Sequence, residues 1–297
     1  MQSRRALYKG SGCAMVTPFT KENTLDNAAL REQAAFQLES GTDALIVCGT
    51  TGEASTMTER EKAEAVRMVA EVANGRVPVI AGVGGNDTAR VIEACRHARE
   101  TGADAVLAVT PYYNKTTQAG LAAHFTTVAE ASPLPVILYN VPSRTALHMK
   151  AETTAELAGH ENIAGIKEAS GDIAHVAELV RLCGNQLPVY SGSDEHTLPI
   201  LALGGAGVVS VVANVAPKLM KQLCSRFFEG DLRAAREIQL QLLPLIRALF
   251  AETSPSPIKT AMAMQGRRVG AVRLPLVGMQ EENERALRWC MEQLRLL

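Results

Sequence analysis

A lysine closes an apolar run in Asn162-Ile163-Ala164-Gly165-Ile166-Lys167-Glu168. The run reads as a buried strand, and lysine is among the residues least often buried, so Lys167 needs a reason to stand there. One reason is chemical. An amine loses its charge readily when desolvated, and a neutral amine attacks a carbonyl to give a Schiff base. The plainer alternative is a lysine that marks where a strand reaches water. The other residues that gather at strand ends decide between the two.

Short apolar runs fall near residues 12–17, 44–48, 77–82, 104–109, 135–139, 163–167, 187–191 and 207–211. After the second comes Gly49-Thr50-Thr51-Gly52-Glu53, with two hydroxyls and free backbone amides between glycines. Such a turn can bind a carboxylate or phosphate, or it can be a simple threonine-capped turn. It is not a P-loop, because no Gly-Lys-Ser/Thr follows. After the fourth run comes Thr110-Pro111-Tyr112-Tyr113-Asn114. The fifth ends in Tyr139-Asn140-Val141-Pro142-Ser143-Arg144-Thr145, and the seventh in Ser191-Gly192-Ser193-Asp194. The Tyr139 phenol, one strand from Lys167, can relay protons to and from a carbinolamine; a core tyrosine is the alternative. Arg144 can hold a carboxylate with its planar fork, or form an ordinary surface ion pair. The starts of the runs offer no comparable gathering.

These residues need a scaffold that aims eight strand ends at one mouth. Helix-like segments such as Thr58–Ala73 and Asp172–Leu182 separate the runs, which implies βαβ units and a parallel sheet. An internal echo supports closure. Ser40-Gly41-Thr42-Asp43-Ala44-Leu45-Ile46-Val47 resembles Thr101-Gly102-Ala103-Asp104-Ala105-Val106-Leu107-Ala108, and Pro-Val opens the runs at Pro78, Pro135 and Pro188. Equivalent units favour a closed (β/α)8 barrel, whose active site lies at the C-terminal strand ends. The barrel is expected over residues 1–226. Residues 227–297 form a helical extension, patterned as helix over Leu232–Phe250 and Glu281–Leu296, with a proline-rich turn at Ser254-Pro255-Ser256-Pro257 between.

Composition narrows the function classes. The 297 residues are 47% hydrophobic, 21% charged and 4% aromatic, as in a globular protein with a large core. A net charge of −1 without a basic run argues against nucleic acid. Arg4-Arg5 is followed by Tyr8, Lys9 and Gly10, so it does not open a signal peptide. The uncharged stretch Thr197–Pro217 is broken by Pro199, Gly204, Gly205 and Gly207, and reads as a short helix, a turn and a strand of barrel core, with no membrane span. Cys13, Cys48, Cys95, Cys183, Cys224 and Cys290 have no CxxC or zinc spacing, and read as reduced structural thiols of a cytoplasmic protein. His97, His124, His148, His160, His175 and His196 form no HxH or HExxH pattern and are expected mostly at the surface, so no metal is expected.

Four motifs in order, Gly49–Glu53, Tyr112-Tyr113-Asn114-Lys115, Tyr139–Thr145 and Gly165-Ile166-Lys167-Glu168-Ala169-Ser170-Gly171, resemble the dihydrodipicolinate synthase / N-acetylneuraminate lyase family. The resemblance runs from Gly12 and Val16-Thr17-Pro18 to the tail. It implies that Lys167 forms an imine with pyruvate and that the derived enamine attacks the aldehyde of L-aspartate 4-semialdehyde, without an organic cofactor. It further implies that Tyr139 relays protons, with Thr50 linking it to Tyr113, and that Tyr113 reaches into a neighbouring subunit of a tetramer built from tight dimers. Thr51 matches the pyruvate carboxylate binder, Arg144 the semialdehyde carboxylate binder, and Gly192 and Val209 the pocket lining. Asn86 and Tyr112 fit the lysine feedback site of sensitive members, but Arg90 stands where those carry Glu, and Glu59 and Lys62 where they carry His. Arg90 would repel the lysine ammonium, so weak or absent lysine inhibition is expected. Ser254-Pro255-Ser256-Pro257-Ile258-Lys259 replaces the Asn-Pro-Ile-Pro-Val-Lys of many members, a change expected to alter only local turn packing.

Two rival readings remain at this level. A lyase of 2-oxo-3-deoxy sugar acids or sialic acid would lack the carboxylate-binding arginine that Arg144 supplies. A non-catalytic barrel that senses a 2-oxo acid would have no need of Lys167, Tyr139, Thr50 and Tyr113 together.

Overall fold

The computed structural model describes residues 6–297; Arg4 and Arg5 lie outside the described residues. Eight parallel strands close into a barrel in chain order: β1 Gly10–Ala14, β2 Ala44–Val47, β3 Val79–Gly82, β4 Ala105–Val109, β5 Val136–Asn140, β6 Ile163–Glu168, β7 Val189–Ser191 and β8 Gly207–Ser210. β8 returns to β1 through Gly12↔Val209 and its neighbours. Every expected run holds a strand, but β1 lies earlier than expected. Past Ala14 the chain leaves the sheet, since the Val16 amide donates to the Asn214 side chain and Pro18 has no amide to donate.

Alternation along each strand makes two apolar layers. Ile46, Ile80, Leu107, Ile137, Tyr139, Tyr190 and Val209 fill the barrel interior. Leu45, Val47, Val106, Leu138, Ile166 and Val208 face outward into the larger layer shared with the helices. Tyr8 and Tyr190 stack at 4.5 Å inside the barrel, and the Tyr190 hydroxyl donates to the Tyr8 carbonyl at 3.1 Å. The internal echo has a structural role. Asp43, just before β2, accepts from the Ser11 amide of β1 at 2.8 Å, and Asp104, just before β4, accepts from the Val79 amide of β3 at 2.8 Å. Each aspartate stitches a strand to its predecessor in the same register.

Helices begin where side chains satisfy their free amides. Thr58 and Glu61 form a capping box at the start of Glu59–Ala73, and Asp172 caps Ile173–Cys183. Pro217–Phe228 packs on β1 and runs two residues past 226. The tail holds Leu232–Leu249, Ser256–Met264 and Glu281–Gln293. The middle helix corrects half of an expectation: Ser254 and Pro255 form the expected turn, but Ser256 and Pro257 already begin the helix. Pro257 sits in the first helical turn, where a missing amide costs nothing. Leu242, Leu245, Ile258, Ala261, Leu287 and Met291 belong to the same apolar layer as the barrel's outer face.

Among the described residues, no helix is long and apolar enough to cross a membrane, and all six cysteines are free and buried. The histidines depart from expectation, since only His97 is exposed. His124 is buried; its Nδ1 meets the Thr88 hydroxyl at 2.9 Å, while its Nε2 has no hydrogen-bond partner among the described residues.

Candidate active site

Lys167 lies one residue from the C-terminal end of β6 and is 7% exposed. Its neighbours Ile166 and Glu168 face outward, so Lys167 points into the barrel. In register it stands between Tyr139 of β5 and Tyr190 of β7. The Lys167 Nζ lies 4.2 Å from the centre of the Tyr139 ring. Gly192, just past β7, leaves room for the lysine. A methyl group there would lie 3.1 Å from Lys167 Cε and 2.6 Å from Ala169 Cβ. Val209 is buried in the same interior layer.

Around this centre stand the loops. Gly49–Glu53 closes on itself: the Gly52 amide donates to the Gly49 carbonyl at 3.1 Å and the Glu53 amide to the Thr50 carbonyl at 3.1 Å. Thr17 pins it, its hydroxyl donating to the Gly52 carbonyl at 2.6 Å. Thr51 is buried and Thr50 half-buried. Arg144 sits on the short helix Pro142–Thr145 after β5, exposed, its Nη2 donating to the Ser254 carbonyl at 3.3 Å. Tyr113, after β4, is 92% exposed and has φ +70°, a left-handed conformation that costs a bulky residue about 1–2 kcal/mol. Among the described residues no hydrogen bond joins Thr50 to Tyr139 or Tyr113. Asn86 and Tyr112 occupy neighbouring loops, joined where the Asn114 side chain donates to the Asn86 carbonyl at 2.9 Å.

The structure thus brings Lys167, Tyr139, Gly192 and Val209 together inside the barrel, with Thr50, Thr51, Arg144 and Tyr113 on loops at the same end. It also shows residues that sequence reasoning passed over. Glu168 points away from the mouth and accepts from the Asn140 side chain at 2.9 Å and the Ser170 amide at 2.6 Å, with His175 Nε2 at 3.5 Å. Burial pushes the Glu168 carboxyl up, but bonds from His175, Ser170 and Asn140 outweigh it and leave the group below the usual range. Its carbonyl accepts from the Gly192 amide at 2.7 Å, so the ends of β6 and β7 are fixed to each other. Asp194, fully buried, accepts from the Ser210 hydroxyl and the Val211 and Val212 amides, which holds the turn after Val209. Burial raises the Asp194 carboxyl, against the pull of these donors and of the Lys167 charge. A carboxylate closing Ser191–Asp194 was the available signal; its partners, 16 to 18 residues further on, were not visible in the sequence.

Among the described residues no cluster of histidine, cysteine and carboxylate side chains could hold a metal ion. The chemistry open to the site is that of an amine beside a phenol, with hydroxyl, amide and guanidinium donors nearby for anions.

Comparison with known proteins places the chain, though not the single residues of this site, in a lineage. Residues 7–294 match the model of the dihydrodipicolinate synthetase family. The chain is 49% identical over 292 residues to a 4-hydroxy-tetrahydrodipicolinate synthase of Thermoanaerobacter sp. (strain X514), covering 98% of each chain. It superposes on the dihydrodipicolinate synthase of Thermotoga maritima with a TM-score of 0.96 at 42% identity, covering 98% of this chain and 100% of that one. It also matches a dihydrodipicolinate synthase variant described as the first monomeric one, with a TM-score of 0.96, 41% identity and 98% of each chain covered.

Proposed function

The chain belongs to the dihydrodipicolinate synthetase family, and from that premise we propose that its barrel mouth condenses pyruvate with L-aspartate 4-semialdehyde through a Schiff base. The product is 4-hydroxy-tetrahydrodipicolinate, the entry to the diaminopimelate and lysine pathway. The observation that carries the reading is the buried Lys167 amine, aimed into the barrel and 4.2 Å from the Tyr139 ring.

The Lys167 amine adds to C2 of pyruvate, and Tyr139 supplies and removes the protons that turn the carbinolamine into an iminium. The iminium is an electron sink, so a methyl proton leaves and an enamine forms without a metal. The enamine carbon attacks the semialdehyde aldehyde; the substrate amine then displaces Lys167 as the ring closes, and the enzyme amine is free again. Thr51 and the backbone amides of its turn hold the pyruvate carboxylate. Arg144 orients the semialdehyde carboxylate, which counts against a sugar-acid lyase. Gly192 and Val209 line the pocket, and Thr50 passes protons between Tyr139 and Tyr113. Tyr113 acts in the site of a neighbouring subunit. Its exposure and left-handed backbone support this, since strain on a fully exposed aromatic residue gains nothing for an isolated chain. A cytoplasmic homotetramer built from tight dimers is the corresponding assembly.

A rate assay with both substrates, coupled to NADPH oxidation by the reductase that consumes the product, tests the reading. Wild-type protein turns over. Lys167→Ala loses at least about a thousandfold in kcat, because the covalent route is closed. A folded wild-type oligomer without turnover would move the assignment to the sugar-acid lyases.

A further inference from the structure

Behind the Gly49–Glu53 turn lies a charged pair that the condensation chemistry does not use. Lys259 Nζ sits 2.5 Å from Glu53 Oε1, and the two side chains are 3% and 1% exposed. Desolvating such a pair is costly, and apolar residues of equal volume often stabilise a fold as well or better. What a buried pair supplies that apolar residues do not is a fixed geometry.

That geometry ties the tail to the turn. Glu53 Oε2 accepts from the Arg273 amide at 2.8 Å. Lys259 also donates to the Ala271 carbonyl at 3.1 Å and lies 4.4 Å from the centre of the Phe19 ring. The Arg273 guanidinium reaches on to the Thr56 carbonyl at 2.8 Å, to Asn23 and to Glu61. The Glu53 carboxylate is therefore gripped from residues 259–273. Glu53 has a left-handed backbone, φ +54°, and its amide closes the turn on Thr50. A shift of its side chain is passed to Thr50 and Thr51 through one turn of backbone. The same tail touches the other anion-binding element, where Ser254 accepts from Arg144.

We infer that Glu53 and Lys259 are positioning residues: through them the tail holds the Thr50–Thr51 turn at the place where it binds the pyruvate carboxylate above Lys167. The inference rests on the reading of that turn as the pyruvate cradle. Burial lowers the affinity of Lys259 for its proton, and the Glu53 charge opposes this only in part.

The test is the pyruvate dependence of borohydride labelling at Lys167, read by mass, which needs no turnover. Glu53→Gln and Lys259→Met should each raise the half-labelling pyruvate concentration about tenfold while still reaching full labelling, because a displaced cradle weakens binding without removing the amine. Glu61→Gln weakens the outer tie of Arg273 and the Thr58 capping box, neither of which includes the Glu53 carboxylate. It should lower the melting temperature and leave the labelling curve in place. Curves for Glu53→Gln and Lys259→Met that overlay wild type within about twofold, whatever their melting temperatures, would overturn the inference. An unlabelled wild type would instead overturn the Schiff-base reading beneath it. Should the variants fail to fold, hydrogen exchange on wild-type protein decides. Coupling is reciprocal, so trapping pyruvate should slow exchange in residues 49–53 and 268–273 together. Slowing confined to 49–53 would count against the tail.

Discussion

The residue next to Lys167 carries its own electrostatics. Glu168 and His175 form an ion pair at 3.5 Å with both side chains largely buried, and the His148 ring meets the His175 ring edge-on at 4.4 Å. The bond to Glu168 raises the His175 imidazole above its ordinary value, against burial, with Asp172 and Glu152 adding to the rise. Burial and the neighbouring His175 lower His148, so the proton affinities of the two rings are driven apart. The sign of the pH effect follows. A raised histidine contributes stability fully below its unfolded value of about 6.5, and loses it as pH rises through the folded value. A lowered glutamate contributes above its unfolded value of about 4.3, and loses it as pH falls through the folded one. The pair is therefore worth most between roughly pH 5 and 6.5. His175→Gln should cost about 1 kcal/mol there and almost nothing near pH 9, because wild type has by then lost the same charge. Urea unfolding of both proteins at the two pH values measures it. An equal gap at both would mean that His175 acts by packing alone.

Among the elements, the tail meets the barrel at some demanding points. Gly270 has φ +64°, and a Cβ there would lie 1.8 Å from the Phe19 carbonyl oxygen, while the Phe19 amide donates to Val269 at 3.2 Å. Gly270→Ala should therefore cost more than the roughly 1–2 kcal/mol of a left-handed alanine alone, since the tail must also withdraw from Phe19. A melting curve shows it, and no change in melting temperature would mean that the segment bends freely. This contact was invisible in the sequence, as was the helix at Ser256–Met264. Local proline chemistry announces a turn and a helix start alike, and only packing against Val212–Asn214 and Glu281–Gln293 decides between them. The strands were legible because each is a short apolar run bounded by turn residues, and Lys167 was legible because a charge closes one of them. Glu168, Asp194 and Lys259 were not: each makes sense only beside partners that the fold brings to it, among them Asn140, Ser210 and Glu53. The half-buried histidines were misjudged for the same reason, helical periodicity being silent about which polar tips find a partner inside.

At the scale of the whole molecule, the loops after β3 and β4 and the start of Glu59–Ala73 carry the positions on which the proposed weak response to lysine turns. In lysine-sensitive members the resemblance sets the feedback site at a subunit interface, on the positions of Asn86 and Tyr112 together with a glutamate and two histidines. Here the glutamate position is Arg90, exposed and 3.5 Å from Asp87, and the histidine positions are Glu59 and Lys62, which pair with each other at 2.8 Å. A lysine ligand brings an ammonium and a carboxylate. Arg90 offers its ammonium a like charge in place of a counter-ion, and Glu59 is already engaged by Lys62. Asn86 and Tyr112 remain, but two polar groups without a fixed countercharge leave most of the ligand's desolvation uncompensated. Saturating both substrates and titrating lysine into the coupled assay should leave the rate nearly flat through the millimolar range. Half-inhibition below one millimolar would show that the interface supplies a countercharge from elsewhere. Arg90→Glu, tested beside wild type, separates these cases: if charge at this position governs sensitivity, the substitution should strengthen lysine inhibition, whereas an unchanged titration would mean that the site has been lost by shape.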